Sequence, residues 1–365
     1  MRINFTMWNM GRSGGARVVF EVGNRLAAKG HEITYTTLRR ASASPWFHHG
    51  KCRIICAEDE IPIVKRTPQY LLNYALKRIY PNHLVDGTEA LAKATPKCDI
   101  NIATYFPTAY AVDRSGIGVR VYYIQHFEPL FFEDYYWKRV AEETYLLPLK
   151  PITVSTWLRD RLAEIYRSEP ALCPNGVDRG AFYPRAKGKD RNEKKILCIG
   201  RGSIIKGLND LLEAMTLLYR QRQDVRLVIV TQRKLSIPAT VFPTEIVRAE
   251  TDDELAELYS QSDLFVSPSW YEGFSLPPLE AMSCGTPVVT TRIGLEDYAA
   301  DGENALIVEP RQPEQMAAAI LRILNNPNLR DKLISNGIET AKMLTWDETA
   351  NKVEAALFRM ASGKW

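Results

Sequence analysis

Apolar residues in this chain come in short runs separated by amphipathic stretches and turn clusters, the pattern of alternating strands and helices. A strand is predicted over 3–6, a glycine-rich turn over 10–17, a helix over 18–29 stopped by Gly30, and a second strand over 33–37. Further strands are predicted over 52–57, 100–104, 119–125 and 152–155, with helices over 69–79, 86–94, 107–114 and 156–166. A charged, breaker-rich stretch over 185–195 reads as a linker. The alternation then restarts: strands over 195–200, 225–230, 245–249, 264–266 and 288–290, and helices over 208–221, from Asp252, and from Pro277 to the stop at Gly285. Two more helices follow, and a last one begins at Trp346. Each half therefore reads as an α/β unit of mononucleotide-binding type.

One stretch, Pro268 to Thr290, concentrates the chemistry: strand, turn-rich loop, helix, glycine turn, strand. Pro277 and Pro278 suit the first turn of a helix, where N–H groups lack partners anyway. Glu272 lies in the loop and Glu280 in the helix, eight residues apart. The N–H groups of Phe274, Ser275 and Leu276 would point out of the helix N-terminus, a place suited to phosphate or hydroxyl groups. In the first half, Gly11, Gly14 and Gly15 permit close approach of backbone to an anion, without the G-x-G-x-x-G spacing of a dinucleotide site. His126 follows a strongly apolar strand, where open α/β sheets bind ligands. Phe127, Tyr135, Tyr136 and Trp137 belong to the densest aromatic stretch and could line an acceptor cleft or pack inside.

With 365 residues the chain suits two domains, and its net charge of +4 is too small to argue for nucleic acid. No apolar run is long enough to span a membrane, the N-terminus reads as a strand, and the six cysteines are scattered, which favours a cytoplasmic setting. A slightly basic chain is compatible with peripheral attachment to an anionic membrane face. His48, His49, Cys52 and Cys56 lie close in sequence, but a strand would set the two cysteines about 13 Å apart, too far to share one zinc. The chain has no Asp-x-Asp; its acidic clusters are Glu58-Asp-Glu60, after a strand, and Asp252-Asp-Glu254, explained by a helix start capped by Thr251. No metal is therefore expected.

The E-x7-E segment with its glycine, proline pair and Gly-Thr-Pro resembles that of retaining glycosyltransferases of family 4, in group 1. The Gly-Arg…Lys-Gly of Arg201 to Gly207, the glycine turn, and Asn175-Gly-Val-Asp178 fit the same resemblance. It implies the GT-B fold: two Rossmann-like domains facing across a cleft, an acceptor-side domain over 1–184 completed by a crossing helix over 346–365, and a nucleotide-sugar domain over 185–345. It implies hexosyl transfer to a hydroxyl of a glycan or lipid-linked acceptor in cell-surface glycan, polysaccharide or glycolipid synthesis. Glu272, His126, Arg201 and Lys206 would be catalytic. Gly14, Gly15, Arg201, Lys206, Arg248, Gly273, Phe274, Ser275, Leu276 and Glu280 would bind the donor, with Glu280 on the ribose and the two cations on the diphosphate. No cofactor is implied beyond the donor, carried on UDP first and on dTDP or GDP otherwise; Gln125-His-Phe-Glu-Pro is similar to rhamnosyltransferase-like members and points to dTDP. Rival readings are a non-hydrolysing UDP-N-acetylglucosamine epimerase, a pyridoxal-phosphate phosphorylase lacking a nominated lysine, and an inactive glycosyltransferase-like binding subunit.

Overall fold

The computed structural model describes residues 1–11, 13–38, 50, 52–57, 87–186, 193–200, 202–232 and 234–363. Arg201, His48, His49, the Glu58–Glu60 cluster and the helix expected over 69–79 lie outside them. The chain divides into two compact units, Met1–Cys173 with Asp347–Trp365, and Pro174–Trp346. Residues 174–184, expected with the first domain, belong to the second unit. There Val177 N–H donates to Leu344 O at 2.9 Å, and Ser283 Oγ to Phe182 O at 2.6 Å.

The first unit contains β1 (Arg2–Met7), α1 (Gly14–Ala28), β2 (Glu32–Thr37), β3 (Arg53–Cys56), α2 (Thr88–Ala94), β4 (Ile100–Ala103), α3 (Phe106–Ser115), β5 (Val119–Ile124), a 3-10 turn (Glu128–Phe131), α4 (Tyr135–Glu143), β6 (Lys150–Thr153), α5 (Thr156–Tyr166) and β7 (Ala171–Leu172). Its sheet is parallel, in the order β3-β2-β1-β4-β5-β6-β7. Helices on both faces bury the central strands, so these read as continuous apolar runs. The exception is a buried polar patch. Asn4 Nδ2 donates to Asn101 Oδ1 at 2.9 Å, Thr6 Oγ1 to the same oxygen at 3.0 Å, and Thr36 Oγ1 to Asn4 Oδ1 at 2.8 Å. Helix α1 starts at Gly14, earlier than the expected 18, because the Ser13 side chain accepts the Ala16 N–H at 3.1 Å and caps it there. Glycine is tolerated in a first turn that Ser13 already fixes.

The second unit contains β8 (Lys194–Ile199), α6 (Leu208–Gln221), β9 (Val225–Val230), β10 (Thr244–Val247), α7 (Asp252–Ser260), β11 (Leu264–Ser267), α8 (Leu276–Ser283), β12 (Val288–Thr291), β13 (Leu306–Val308), α9 (Pro313–Asn325) and α10 (Pro327–Met343). Its sheet is also parallel, β10-β9-β8-β11-β12-β13. Leu211, Met215, Leu218, Ile229, Val266, Met316 and Ile320 form part of its core. The last helix, α11 (Trp346–Ala361), joins the first unit along most of its length. Arg25 Nε bonds Asp347 Oδ1 at 2.9 Å, Glu354 takes Lys29 and His31 at 2.5 and 2.8 Å, and Lys150 Nζ donates to Met360 O at 2.7 Å. Hydrogen bonds from Lys29 and then His31 hold the Glu354 carboxyl below its ordinary range.

In each sheet the winding reverses once, between β1 and β4 and between β8 and β11. Loops leaving strand ends beside such a reversal diverge and leave a crevice, where open α/β sheets bind ligands. Among the described residues no helix is long and apolar enough to cross a membrane.

Candidate active site

The loops after β8 and β11, on the two sides of the second sheet's reversal, carry Lys206 and Glu272. The structure brings them together: Lys206 Nζ lies 2.8 Å from Glu272 Oε1, with the side chains 12% and 16% exposed. Ser269 Oγ donates to the same oxygen at 2.9 Å. Two glycines allow the loops to close. Gly207 has φ +64°, and a Cβ there would meet the Pro268 carbonyl oxygen at 1.9 Å. Gly294 has φ +91°, and a Cβ there would lie 2.4 Å from the Glu272 carbonyl oxygen. Only glycine fits either approach.

Helix α8 follows with Pro277 and Pro278 in its first turn and Gly285, at φ +73°, just past its end. Of the three amides expected to point out of its N-terminus, that of Ser275 is already given to Gly294 O at 3.2 Å. Phe274 and Leu276 are buried, as is Gly273. Glu280 is 6% exposed and accepts a hydrogen bond from Tyr259 Oη at 3.0 Å. Tyr298, whose Oη donates to Ser275 O, feels the charge of both glutamates. Burial pushes its phenol well above the ordinary range, and the charges of Glu272 and Glu280 push it further. The acids eight apart in sequence therefore act on one buried ring. Arg248 is exposed, one residue beyond β10.

In the first unit, Gly14 and Gly15 open α1, and a Cβ on Gly15 would touch the Gln125 side chain at 3.4 Å. The glycine turn and the segment leading into His126 are thus neighbours. The His126 ring packs on Phe131, with centroids 4.3 Å apart, and its carbonyl accepts from Tyr145 Oη at 3.3 Å. The aromatic stretch is divided. Phe127, for which cleft and interior were both open, is 5% exposed, stacked on Tyr145 at 5.7 Å, and covered by the Arg161 guanidinium. Its ring lies in the interior, at the residue that begins the 3-10 turn after β5. Tyr136 and Trp137 pack with Phe106, Tyr110 and Phe132, whereas Tyr135 is 74% exposed.

Sequence reasoning missed Ser269, Trp270, Phe131 and Glu128. Ser269 and Trp270 stood in plain view inside the Pro268–Thr290 stretch; their contacts did not. Glu128 is 2% exposed, accepts from Tyr122 Oη at 2.7 Å, and receives the Phe106 N–H at the start of α3. Its own N–H donates to Tyr145 Oη at 3.0 Å. Burial raises its carboxyl to about 8, against the smaller opposing effects of those two bonds.

Residues 181–340, which include Lys206, Glu272 and Glu280, match the family described as Glycosyl transferases group 1. That match makes this part of the chain similar to the group 1 glycosyltransferase domain. This domain spans most of the second unit. Among its relatives are MMP alpha-(1->4)-mannosyltransferase of Mycolicibacterium hassiacum, 34% identical over 62% of this chain and 57% of that protein, and a D-inositol 3-phosphate glycosyltransferase of Segniliparus rotundus, 30% identical over 53% and 49%. The chain spans about half the length of the curated relatives it matches. Among solved structures, the glycosyltransferase fold resembles sucrose-phosphate synthase from Thermosynechococcus elongatus, TM-score 0.80 over all of both chains at 20% identity. It also resembles Anabaena HepE in complex with UDP-glucose, TM-score 0.74 over 98% and 99% at 14% identity. The fold is that of GT-B glycosyltransferases, with two Rossmann-like units.

Proposed function

We propose that the protein is a retaining hexosyltransferase that moves a sugar from a nucleotide-diphosphate donor to a hydroxyl of a glycan or lipid-linked acceptor. The observation that carries this reading is the Lys206–Glu272 pair at the sheet reversal of a group 1 domain, with Glu280 on the helix behind it. In this reading Glu280 takes the ribose hydroxyls and Lys206 and Arg201 the diphosphate. An ammonium has three N–H donors, so Lys206 can keep Glu272 and still bond a phosphate oxygen. Glu272 faces the donor sugar and favours positive charge growing on its ring. The bond from the anomeric carbon to the phosphate oxygen breaks, its electron pair staying with the phosphate, where the cations stabilise it. The acceptor oxygen bonds the same carbon on the same face, and its proton passes to the leaving phosphate. His126 and the Gly14–Gly15 turn are the groups of the first unit proposed to face a ligand. Binding of UDP-glucose by the HepE structure supports a UDP donor, with dTDP and GDP donors next. Free thiols at all six cysteines support a reducing, cytoplasmic setting.

The test is a thermal-shift screen of UDP, dTDP and GDP and their sugars, followed by nucleotide release with and without an acceptor panel, before and after EDTA. Transfer that survives EDTA is expected. No stabilisation by any nucleotide, or an epimerised sugar in place of a transferred one, refutes the reading.

A further inference from the structure

Trp270 sits two residues before Glu272 and makes three contacts that neither the donor nor the fold explains by itself. Its backbone N–H donates to Ile205 O at 2.8 Å, tying the Glu272 loop to the turn that carries Lys206. Its indole Nε1–H donates to Asp210 Oδ2 at 2.6 Å, in the first turn of α6. The Arg311 guanidinium lies over its ring, 3.7 Å from the centroid. Arg311 precedes α9 and holds a left-handed backbone, φ +60°, one of two non-glycine residues doing so among those described. Such a conformation is strained for a residue with a side chain and persists only where surrounding contacts fix it. Here it aims the guanidinium at the indole. The Tyr271 phenol lies in reach of the whole arrangement. Burial raises it to about 12, with Glu272 raising and Arg311 lowering it.

From this geometry we infer that Trp270 is a positioning residue: clamped under Arg311 and bolted to Ile205 and Asp210, it sets the spacing of Lys206 and Glu272. The inference rests on the proposed role of Lys206 at the donor diphosphate. A flat indole suits the task because it offers a face to the cation and an edge donor to the carboxylate at once. Phenylalanine keeps the face and loses the edge donor. Glycine at 311 keeps the left-handed backbone and loses the cation. Trp270 reaches the phosphate only through Lys206, so its loss weakens contacts to the second phosphate and leaves those to the base and ribose.

The experiment measures UDP and UMP affinity by calorimetry, with dTDP and dTMP and with GDP and GMP in parallel, for wild type, Trp270→Phe, Arg311→Gly, Lys206→Ala, and each of Trp270→Phe and Arg311→Gly combined with Lys206→Ala. Melting temperatures are recorded for all. Trp270→Phe is expected to weaken the diphosphate on the order of tenfold, the loss of one hydrogen bond to a charged group, and to leave the monophosphate unchanged. Arg311→Gly is expected to act in the same direction and less strongly. In the Lys206→Ala background neither substitution should add a further loss. Losses that add fully to that of Lys206→Ala, or that fall equally on mono- and diphosphate, overturn the positioning role, as does wild-type affinity in Trp270→Phe. A wild-type protein that binds no nucleotide overturns the reading of the site beneath it.

Discussion

Replacing Glu128 by glutamine is expected to remove a slope from the pH dependence of stability. The carboxyl is raised from 4.5 to about 8 in the folded protein, chiefly by burial. Below about pH 4.5 the group is protonated whether the chain is folded or not, and contributes no slope. Between 4.5 and 8 the unfolded chain releases the proton and gains by doing so, while the folded chain holds it. Stability therefore falls as pH rises through this window and levels off above it. The shift of about 3.5 units, at 1.36 kcal/mol each, amounts to about 5 kcal/mol in total and about 3 kcal/mol by pH 7. Tyr122, Tyr145 and Tyr105 face the carboxyl from β5, the turn after α4 and the start of α3. All three are raised above their ordinary range by burial, so they stay silent in this window. Glutamine keeps an oxygen for Tyr122 and Phe106 and cannot ionise. Urea unfolding of both proteins at half-unit intervals from pH 4.5 to 8.5 gives the difference curve, from which groups common to both cancel. That difference should move in favour of Glu128→Gln by about 4 kcal/mol across the interval. Parallel curves, or movement in the opposite direction, would refute a buried, largely protonated Glu128.

Three further outcomes follow from the site. Glu280→Ala should weaken nucleoside diphosphate binding by about 1.5–3 kcal/mol in a calorimetric titration, and unchanged affinity removes it from the ribose. Glu272→Gln should retain nucleotide binding and lose transfer on the order of 100-fold, read by nucleotide release; full activity excludes a charge role. Gly207→Ala should cost at least about 2 kcal/mol in urea unfolding, because a left-handed backbone and a carbonyl oxygen both oppose a Cβ there, and wild-type stability would contradict the close approach to Pro268.

Much of the site was legible because parallel sheets place their chemistry by a local rule. A strand followed by a glycine-marked loop and a helix presents the loop at one end of the sheet, whatever the distant sequence. Lys206, Glu272 and Glu280 obey that rule, and the two α/β units follow from the alternation of strands and helices. Contacts between loops do not follow from it. Nothing near Trp270 in sequence foretells Arg311, and Lys206 was expected at phosphate without its bond to Glu272. The aromatic stretch was left open between cleft and core for a different reason. Ring content is the same for a core and a surface, and the 3-10 turn after β5 decided that Phe127 points in while Phe131 and Tyr135 point out. Glu128 was hidden for the same reason, since a lone acid among aromatics gives no local sign of burial.

The amides and hydroxyls joining Asn4, Thr6, Thr36 and Asn101 act as a register key for the first sheet. Side chains alternate between faces, so sliding β4 by one residue along β1 would carry Asn101 to the opposite face and strand the Asn4 amide among apolar neighbours. Each buried polar group left so would cost about 1–3 kcal/mol. The second sheet is wound the same way, but its corresponding central strands offer Ile196, Cys198, Leu264 and Val266 instead. A strand of one sheet placed in the other would be penalised in either direction, as an orphaned amide in the first or an intruding one in the second. In two units of like winding on one chain, four buried polar side chains thus favour each strand in its own sheet.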